Sequence, residues 1–599
     1  MITYALDFES YYDRECSIKT LGPHGYFSHP SFEAYMVTVV GDDGFRYAGH
    51  PKEFDWTILK DHLVLSHNAS FDETLYLFGV DAGWYPSVDF KGWQCTADMC
   101  AFLGLPRSLK GAAAEVLEAQ IDKTTRDNMA GKQWSSMSEE FQKEVTEYAI
   151  VDSERCLELW QKLEDQWPQH ERDISVLSRR ITQRGLPMDE PLLQKSLETI
   201  KTKLFDSENT IPWIHEIDPK TKKPFTPLSR KAFNNECRKQ GIPIPKSLAQ
   251  DNADADKWFA EHQKECPWAR SVQDYRRINS FLSKLESFQA GTMSDGRFYG
   301  NIMYCGANPT ARWSGGGGNL NLQNLPREEM FGVNFRPLIK AAPDTKLIVA
   351  DLGQIEVRTV LWWAKDFEAL DRIRETDDIY HVLAVMLGIH KEEDGPLRNN
   401  PKLRQLTKGI ALGCQFGLGP NGYMAQSGGT LEDATFAVNT YQKNMKKVVE
   451  LWGHLKDDIN MSTALGQPLI YDMPSGRKLN YGRIRKMKTR TPEGKTRFAH
   501  VCKMVRQGQR RDFRLWHGHM TNNLAQGLAR DVFADTMLRL DAADIPIVMH
   551  VHDEVVCEVP ASEAEDRRQQ IEEIMSTPPA WIPELPLDTE ATILDHYTK

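Results

Sequence analysis

A chain of 599 residues is about four times the usual domain size, so several packed units are expected rather than one core. Hydrophobic residues at 41% and charged residues at 26% exclude wholesale disorder, and the absence of any long uninterrupted apolar run excludes a membrane-spanning helix. The net charge of -11 argues against a simple DNA-coating protein, and ten scattered cysteines without zinc-site spacing read as reduced thiols in a cytosol-like compartment.

The chain opens directly on a strand pattern, Ile2 to Phe8, without the basic and apolar segments of an export signal. Further β-like runs follow at Ala34 to Val40 and Leu63 to Ser66, with helical ones at Phe71 to Phe78 and Phe141 to Leu163, the mixture of an α/β unit over residues 1–165. From Asp165 to Glu286 helical patterns dominate, broken by the Pro- and Lys-rich stretch Asp218 to Arg230 and by Gly241 to Lys246. This predicts a mostly helical arm over 166–290, in which Phe205 to Gln263 carries no motif. A Gly-rich loop, Gly315 to Gly318, precedes a strand and helix at Lys346 to Lys365; helices continue to Gly466 and a basic hairpin-like region follows. Between Tyr481 and Arg514 twelve basic residues stand against two acids, Glu493 and Asp512, which makes either a solvated surface or a phosphate-binding one. The last hundred residues read as a helix, His517 to Leu540, a β-hairpin, Ile545 to Val559, another helix and a short strand.

Asp7 and Glu9 are two apart at the end of the first strand, so both side chains leave one face and can share a metal ion. Alone, the pair is what any solvated strand end carries. Asp72 follows another apolar strand and the segment His67-Asn68-Ala69-Ser70-Phe71, and on a later helix Tyr148 and Asp152, four residues apart, face the same way. In this order the residues resemble the DEDD-type 3'-5' proofreading exonucleases, in the subclass with Tyr in the third motif. The resemblance implies an RNase H-like domain in which Asp7, Glu9, Asp72 and Asp152 hold two metal ions that clamp the attacking water and the leaving oxygen, while the Tyr148 hydroxyl orients the water.

Asp351 ends the apolar strand Lys346 to Ala350, and Leu352-Gly353-Gln354-Ile355-Glu356 opens a helix. Far downstream, Ile547 to His552 leads to Asp553-Glu554 and then Val555 to Val559, a hairpin with two acids at its tip. If the two strands are neighbours in one sheet, Asp351 and Asp553 meet and can bridge two Mg²⁺ ions roughly 3.5–4 Å apart, the arrangement for in-line phosphoryl displacement. Between them a helix starts at Asn400-Pro401 and stops at Gly417-Leu418-Gly419-Pro420. Along it Arg404, Lys408, Leu412 and Phe416 recur every four residues. Such a stripe suits a nucleoside triphosphate, phosphates toward the cations and sugar and base toward the apolar pair; it equally suits an amphipathic helix with a solvated basic end.

Together these three elements resemble the polymerase motifs of family A, the group of bacterial DNA polymerase I and several phage replicative enzymes. Thr310-Ala311-Arg312 and Asn321 to Pro326 are similar to its minor-groove segments, and Asn522 and Gln526 to a further DNA-contacting helix, so the likeness runs from about Arg172 to the end. The resemblance implies a multi-domain α/β and α+β chain: an exonuclease domain (1–165) followed by a right-hand polymerase, with thumb (166–290), palm (291–365 and 516–599) and fingers with the basic hairpin region (366–515). It implies that Asp351 and Asp553, with Glu554 beside them, serve two Mg²⁺ per active site, Mn²⁺ being the alternative. Lys408 would protonate pyrophosphate and Arg404 grip the phosphates. Gln354, His552, Leu412 and Phe416 would line the nucleotide site, Glu356 would exclude a 2'-OH, and Arg312, Gln323, Asn324, Asn522 and Gln526 would contact DNA. The chain departs from the family at Leu352 and Gly353, where an aromatic and Ser are usual, at Leu412, at Phe416 in place of Tyr, and at Gly518 in place of Arg.

The activity implied is template-directed addition of dNTPs to a primer 3' end, with 3'-5' proofreading. Primer-template DNA is the expected partner, alongside a processivity factor, helicase or primase of a replisome. No 5' nuclease segment precedes Met1, which tilts the expectation to phage-like replication in a host cytoplasm. Two alternatives remain in view: an exonuclease whose polymerase half is a DNA-holding scaffold, and a non-catalytic replication or packaging protein. Intact Asp351, Asp553, Arg404 and Lys408 argue against the first, and the second would not require ten residues of the right type in two complete sites.

Overall fold

The computed structural model describes residues 1–598 apart from 123, 249–251, 263, 316–319, 377, 491–495 and 507–508. Gln263, Glu493, Lys495 and 316–318 of the glycine run therefore lie outside the described residues.

At the front, β1 (Thr3–Ser10), β2 (Ala34–Gly41), β3 (Arg46–Gly49), β4 (Leu63–Ser66) and β5 (Gly92–Cys95) form one sheet in the order β3-β2-β1-β4-β5. β1 pairs antiparallel with β2 and parallel with β4, so it is central. β3 (Arg-Tyr-Ala-Gly) and β5 (Gly-Trp-Gln-Cys) escaped the sequence reading because neither carries an apolar run like the Leu-Val-Leu of the equally short β4. α1 (Ala69–Asp81) follows β4, and α2 (Glu139–Leu163) crosses the sheet. α2 starts where the Ser138 hydroxyl accepts from the Phe141 N–H and Glu139 and Glu140 occupy the positive end of the helix. Val145, Ala149, Cys156, Leu159 and Trp160 make its buried face, each large side chain contributing about 1.5–3 kcal/mol by leaving water.

The arm is helical as expected, with long helices at Glu190–Asn209 and Pro267–Gly291 packed together and a separate small core of Trp213, Phe225, Phe233, Trp258 and Trp268. Its expected start needs correction. α3 (Gln169–Arg184) does not extend the arm but is wedged between the front sheet and the rear of the molecule. Ser175 donates to Asp98 (2.6 Å) and Arg179 to Glu73 (2.6 Å) and the Trp93 carbonyl (2.6 Å), while Glu171 accepts from Tyr304 (2.5 Å) and Arg530 (2.8 Å). Those partners come from both halves of the chain, so polar groups buried on this helix join the two.

Behind it lie β6 (Ile302–Ala307) and β7 (Arg312–Gly315), β8 (Thr345–Leu352), α4 (Ile355–Trp363) and α5 (Pro401–Cys414). The basic region is not a hairpin: β9 (Arg485–Arg490), β10 (Thr496–Arg506) and β11 (Gln509–Leu515) form a three-stranded antiparallel sheet, because the run turns twice. α6 (His517–Ala542) is buried along most of its surface, which explains why it shows almost no amphipathic stripe. β12 (Ile547–Val551), β13 (Glu554–Pro560) and β14 (Thr589–Leu594) complete the rear sheet in the order β12-β13-β8-β14.

Candidate functional site

The strand adjacency that the sequence left conditional is present. β8 and β13 are antiparallel neighbours with Asp351 opposite Glu554, and the Leu352 N–H donates to the Asp553 carbonyl at 3.1 Å. Asp553 thus stands at the turn beside the end of the strand that carries Asp351. Burial, together with the nearby charge of Asp351, pushes the Asp553 carboxyl up to about 6. Glu554 accepts from the Tyr597 hydroxyl at 2.6 Å, so that carboxylate is already held by the C-terminal segment.

Two left-handed residues shape the rim. Gln354 (φ 47°) turns β8 into α4, and His552 (φ 57°) turns β12 into β13. Gln323 is buried and spends its amide on that second turn, donating to the His550 carbonyl (2.7 Å) and accepting from the His552 N–H (3.0 Å). Gln323, expected at DNA, lines the cleft at this rim and also props the loop that carries Asp553. Burial, with Arg312 and Arg327 near, holds the His552 imidazole below its ordinary range.

A cleft of about 230 Å³ opens here, lined among others by Arg312, Gln323, Glu356, Gln526, His552 and Asp553. Five segments separated by up to 241 positions converge on it. Gln526 donates to Glu356 at 3.1 Å, and the Arg312 guanidinium lies 4.0 Å from the same carboxylate. Asp351 and Gln354 sit just outside this lining; Asn522 is half-buried one turn before Gln526, and Asn324 is exposed.

α5 forms as expected, with the Asn400 side chain accepting from the Leu403 N–H and Pro401 in the first turn. Its stripe divides: Lys408 is exposed, whereas Leu412 and Phe416 are half-buried against a core of Tyr380, Ile410, Tyr423 and Trp452. Phe416 lies two residues past the end of α5. Arg404 is engaged by Asp378 (3.3 Å) and lies over the Tyr380 ring at 5.0 Å. Neither partner was singled out in the sequence, since nothing in a lone Asp-Ile-Tyr marks a guanidinium seat. Gly518 has a local cause: a Cβ there would stand 2.2 Å from the Phe416 carbonyl and 2.3 Å from the Trp516 ring.

The front residues also meet. Asp7, Glu9, Asp72, Tyr148 and Asp152 all line one cleft of about 840 Å³, with Asp7 and Glu9 on the same face of β1 as expected. The Phe8 N–H donates to Asp72 (3.1 Å), tying α1 to β1, and Tyr148 and Asp152 stand one turn apart on α2. Burial, and after it the like charge of Asp152, raises the Glu9 carboxyl to about 8; burial raises Asp72 to about 7, and burial with Glu9 beside it holds Asp7 well above its usual range. Arg126, absent from any motif, lines the cleft and opposes the acids. Among the described residues no three His, Cys, Asp or Glu side chains stand at metal-ligand spacing. The far wall of this cleft is Met303, Cys305, Gly306, Asn308 and Val505, all from the rear half.

An acid-rimmed sheet fed by a cation-bearing helix is a polymerase architecture, and the overall fold agrees. The POL domain of Pol1 from M. smegmatis, solved in complex with DNA primer-template and dNTP, superposes with a TM-score of 0.67 at 17% identity, covering 100% of this chain and 95% of that one. The model of DNA polymerase family A matches residues 228–599, and the chain belongs to that family of DNA-directed DNA polymerases. It is 24% identical to the DNA polymerase of Bacillus phage SP02 over the full length of both chains. It is 23% identical to DNA polymerase I of Aquifex aeolicus, covering 90% of this chain and 89% of that protein.

Proposed function

We propose that this chain extends a primer 3' end with dNTPs against a DNA template at Asp351 and Asp553, and trims mispaired 3' ends in the front cleft. The observation that carries this reading is the pairing of β8 with β13, which sets the two acids at one rim beside Glu356, Arg312 and Gln526. Adjacent carboxylates are hard oxygen donors that suit Mg²⁺, or Mn²⁺ in its place. Such ions, when bound, make the attacking oxygen more acidic and neutralise charge on the phosphates.

The residues then divide the work. Asp351 and Asp553 hold the ions, with Glu554 anchored by Tyr597 at their side. Arg404, on release from Asp378, grips the triphosphate, and Lys408 supplies a proton to pyrophosphate. Gln354, His552, Leu412 and Phe416 shape the nucleotide seat, and Glu356 occupies the space of a 2'-OH. Arg312, Gln323, Asn324, Asn522 and Gln526 face DNA, and Gln323 also positions the catalytic turn. In the front cleft, Asp7, Glu9, Asp72 and Asp152 hold the second pair of ions in an RNase H-like fold, and Tyr148 orients the water. The mutual repulsion of those four acids is what divalent cations would relieve. Domain limits at 1–165, 166–290, 291–365, 366–515 and 516–599 fit this division, apart from α3. The full-length likeness to a phage enzyme supports a replicative role in a host cytoplasm, beside a helicase, primase or processivity factor.

Primer extension on a primed template with Mg²⁺ and dNTPs tests the reading. Asp553→Ala is expected to abolish extension and retain 3' trimming; Asp7→Ala is expected to do the reverse. Normal extension by Asp553→Ala sinks the assignment, and trimming without extension by the wild type favours the scaffold alternative.

A further inference from the structure

Among the described residues, the four acids of the front cleft share its wall with three cations, Lys19, Arg107 and Arg126. The cations are not equivalent. Arg107 is already spent, donating to Asp98 at 2.6 Å and to the Tyr304 carbonyl, so it ties the front domain to the rear half. Lys19 is not among the charges that act on Asp7 or Glu9. Arg126 acts on both, and the groups whose charge acts on it in turn are Tyr148, Glu9, Tyr12 and Asp7. Yet among the described residues its guanidinium has no carboxylate within 4.0 Å.

The chain fixes where Arg126 stands. It lies on the short helix Thr124–Met129, which begins where the Asp122 side chain accepts from the Thr124 N–H (2.9 Å) and hydroxyl (2.6 Å). Two hydrogen bonds clip that segment to the chain leaving β1: the Tyr12 hydroxyl donates to the Arg126 carbonyl at 2.6 Å, and the Gly131 N–H to the Tyr12 carbonyl at 2.8 Å. Met129 is buried in a small core with Tyr35, Met36 and Val145. Tyr12 is three residues beyond Glu9, so the strand that carries two of the acids also anchors the cation.

In trimming, the oxygen of a water bonds to the phosphorus of the terminal nucleotide and gives a proton to solvent. The bond from phosphorus to the preceding O3' breaks, and that oxygen keeps the electron pair and takes a proton from solvent. A nucleoside 5'-monophosphate and a primer one residue shorter result. During the displacement the negative charge is carried by the non-bridging oxygens, which carboxylates repel. A guanidinium presents two parallel N–H donors to such a phosphate edge. A purely structural counter-charge gains most by closing onto a carboxylate, and Arg126 stays open to the cleft. We infer that the Arg126 guanidinium binds the non-bridging oxygens of the scissile phosphate and is a catalytic residue of trimming. The inference rests on the exonuclease reading of the front cleft.

The test uses the full chain as wild type, Arg126→Ala and Arg126→Lys, with Mg²⁺, a trinucleotide for trimming and a matched primed template for extension. The side chain is exposed, and melting in chelator checks that the fold is kept. For Arg126→Ala the kcat of trimming is expected to fall about 100-fold, with KM changed less than about three-fold and extension within about two-fold, as for loss of one preorganised donor to a transition state. Arg126→Lys is expected to retain about a tenth of the wild-type rate, because an ammonium keeps the charge but not the fork. Free guanidinium ion at sub-denaturing concentration is expected to raise the Arg126→Ala rate about ten-fold and leave the wild type unchanged. Trimming by wild type and Arg126→Ala at one rate overturns the inference and leaves the exonuclease reading standing. A loss that guanidinium does not restore also overturns it, and makes Arg126 a structural counter-charge. Absence of trimming by the wild type overturns the exonuclease reading and the inference with it.

Discussion

The backbone N–H of Leu352 donates to the carbonyl of Asp553 at 3.1 Å. That bond closes the last step of the β8–β13 ladder and brings Asp351 beside an acid 202 positions away. Residues in the left-handed region on both sides of the rim, Gln354 and His552, turn the chain away immediately afterwards, so both acids stay at the sheet edge.

Glu356 is held from two sides, by Gln526 at 3.1 Å and Arg312 at 4.0 Å. Glu356→Ala is expected to raise incorporation of rNTPs relative to dNTPs by about ten-fold or more, because no carboxylate then meets the 2'-OH. Single-nucleotide extension kinetics check this, and unchanged sugar selectivity removes Glu356 as the gate. Gln526→Ala is expected to give a smaller shift in the same direction, since the carboxylate remains but is less firmly oriented.

Gly518 leaves no room for a side chain between the Phe416 carbonyl and the Trp516 ring. Gly518→Ala is expected to destabilise the protein by about 1–3 kcal/mol, and Gly518→Arg, which would restore the usual family residue, by more. Urea midpoints measure the loss. An unchanged midpoint for Gly518→Arg means the loop at Phe416 yields easily.

Glu171 and Arg530 are an almost fully enclosed ion pair joining α3 to α6. Burial raises the Glu171 carboxyl, but pairing with Arg530 outweighs it and leaves the group below the ordinary glutamate range. The stabilisation is therefore present above the ordinary range and lost as pH falls through the lowered folded value. Glu171→Gln is expected to cost about 3–5 kcal/mol at neutral pH by leaving the guanidinium uncompensated. Melting curves from neutral to acid pH should fall more steeply for the wild type than for the variant; parallel curves count against the pair.

The front acids repel one another in the absence of counter-ions. Glu9→Gln is expected to raise the melting temperature in chelator, and Mg²⁺ is expected to stabilise the wild type more than the variant. Calorimetry with and without Mg²⁺ reads both effects, and an equal Mg²⁺ response in the two proteins excludes Glu9 as a ligand.

The element types and the acids at their ends were legible in the sequence because they depend on near neighbours: alternation placed Asp7 and Glu9 on one face, and Asn400-Pro401 opened α5 where it begins. The same locality hid β3 and β5, which lack the apolar run that revealed the equally short β4, and the three-stranded form of the basic sheet. Tertiary structure alone decided that β8 meets β13, that Gln323 serves the His552 turn, that Asp378 seats Arg404, that Arg126 faces the acids and that α3 ties the two halves. Each depends on which surfaces of distant segments meet, and that is set by burial of the whole core. Local periodicity carries no record of it.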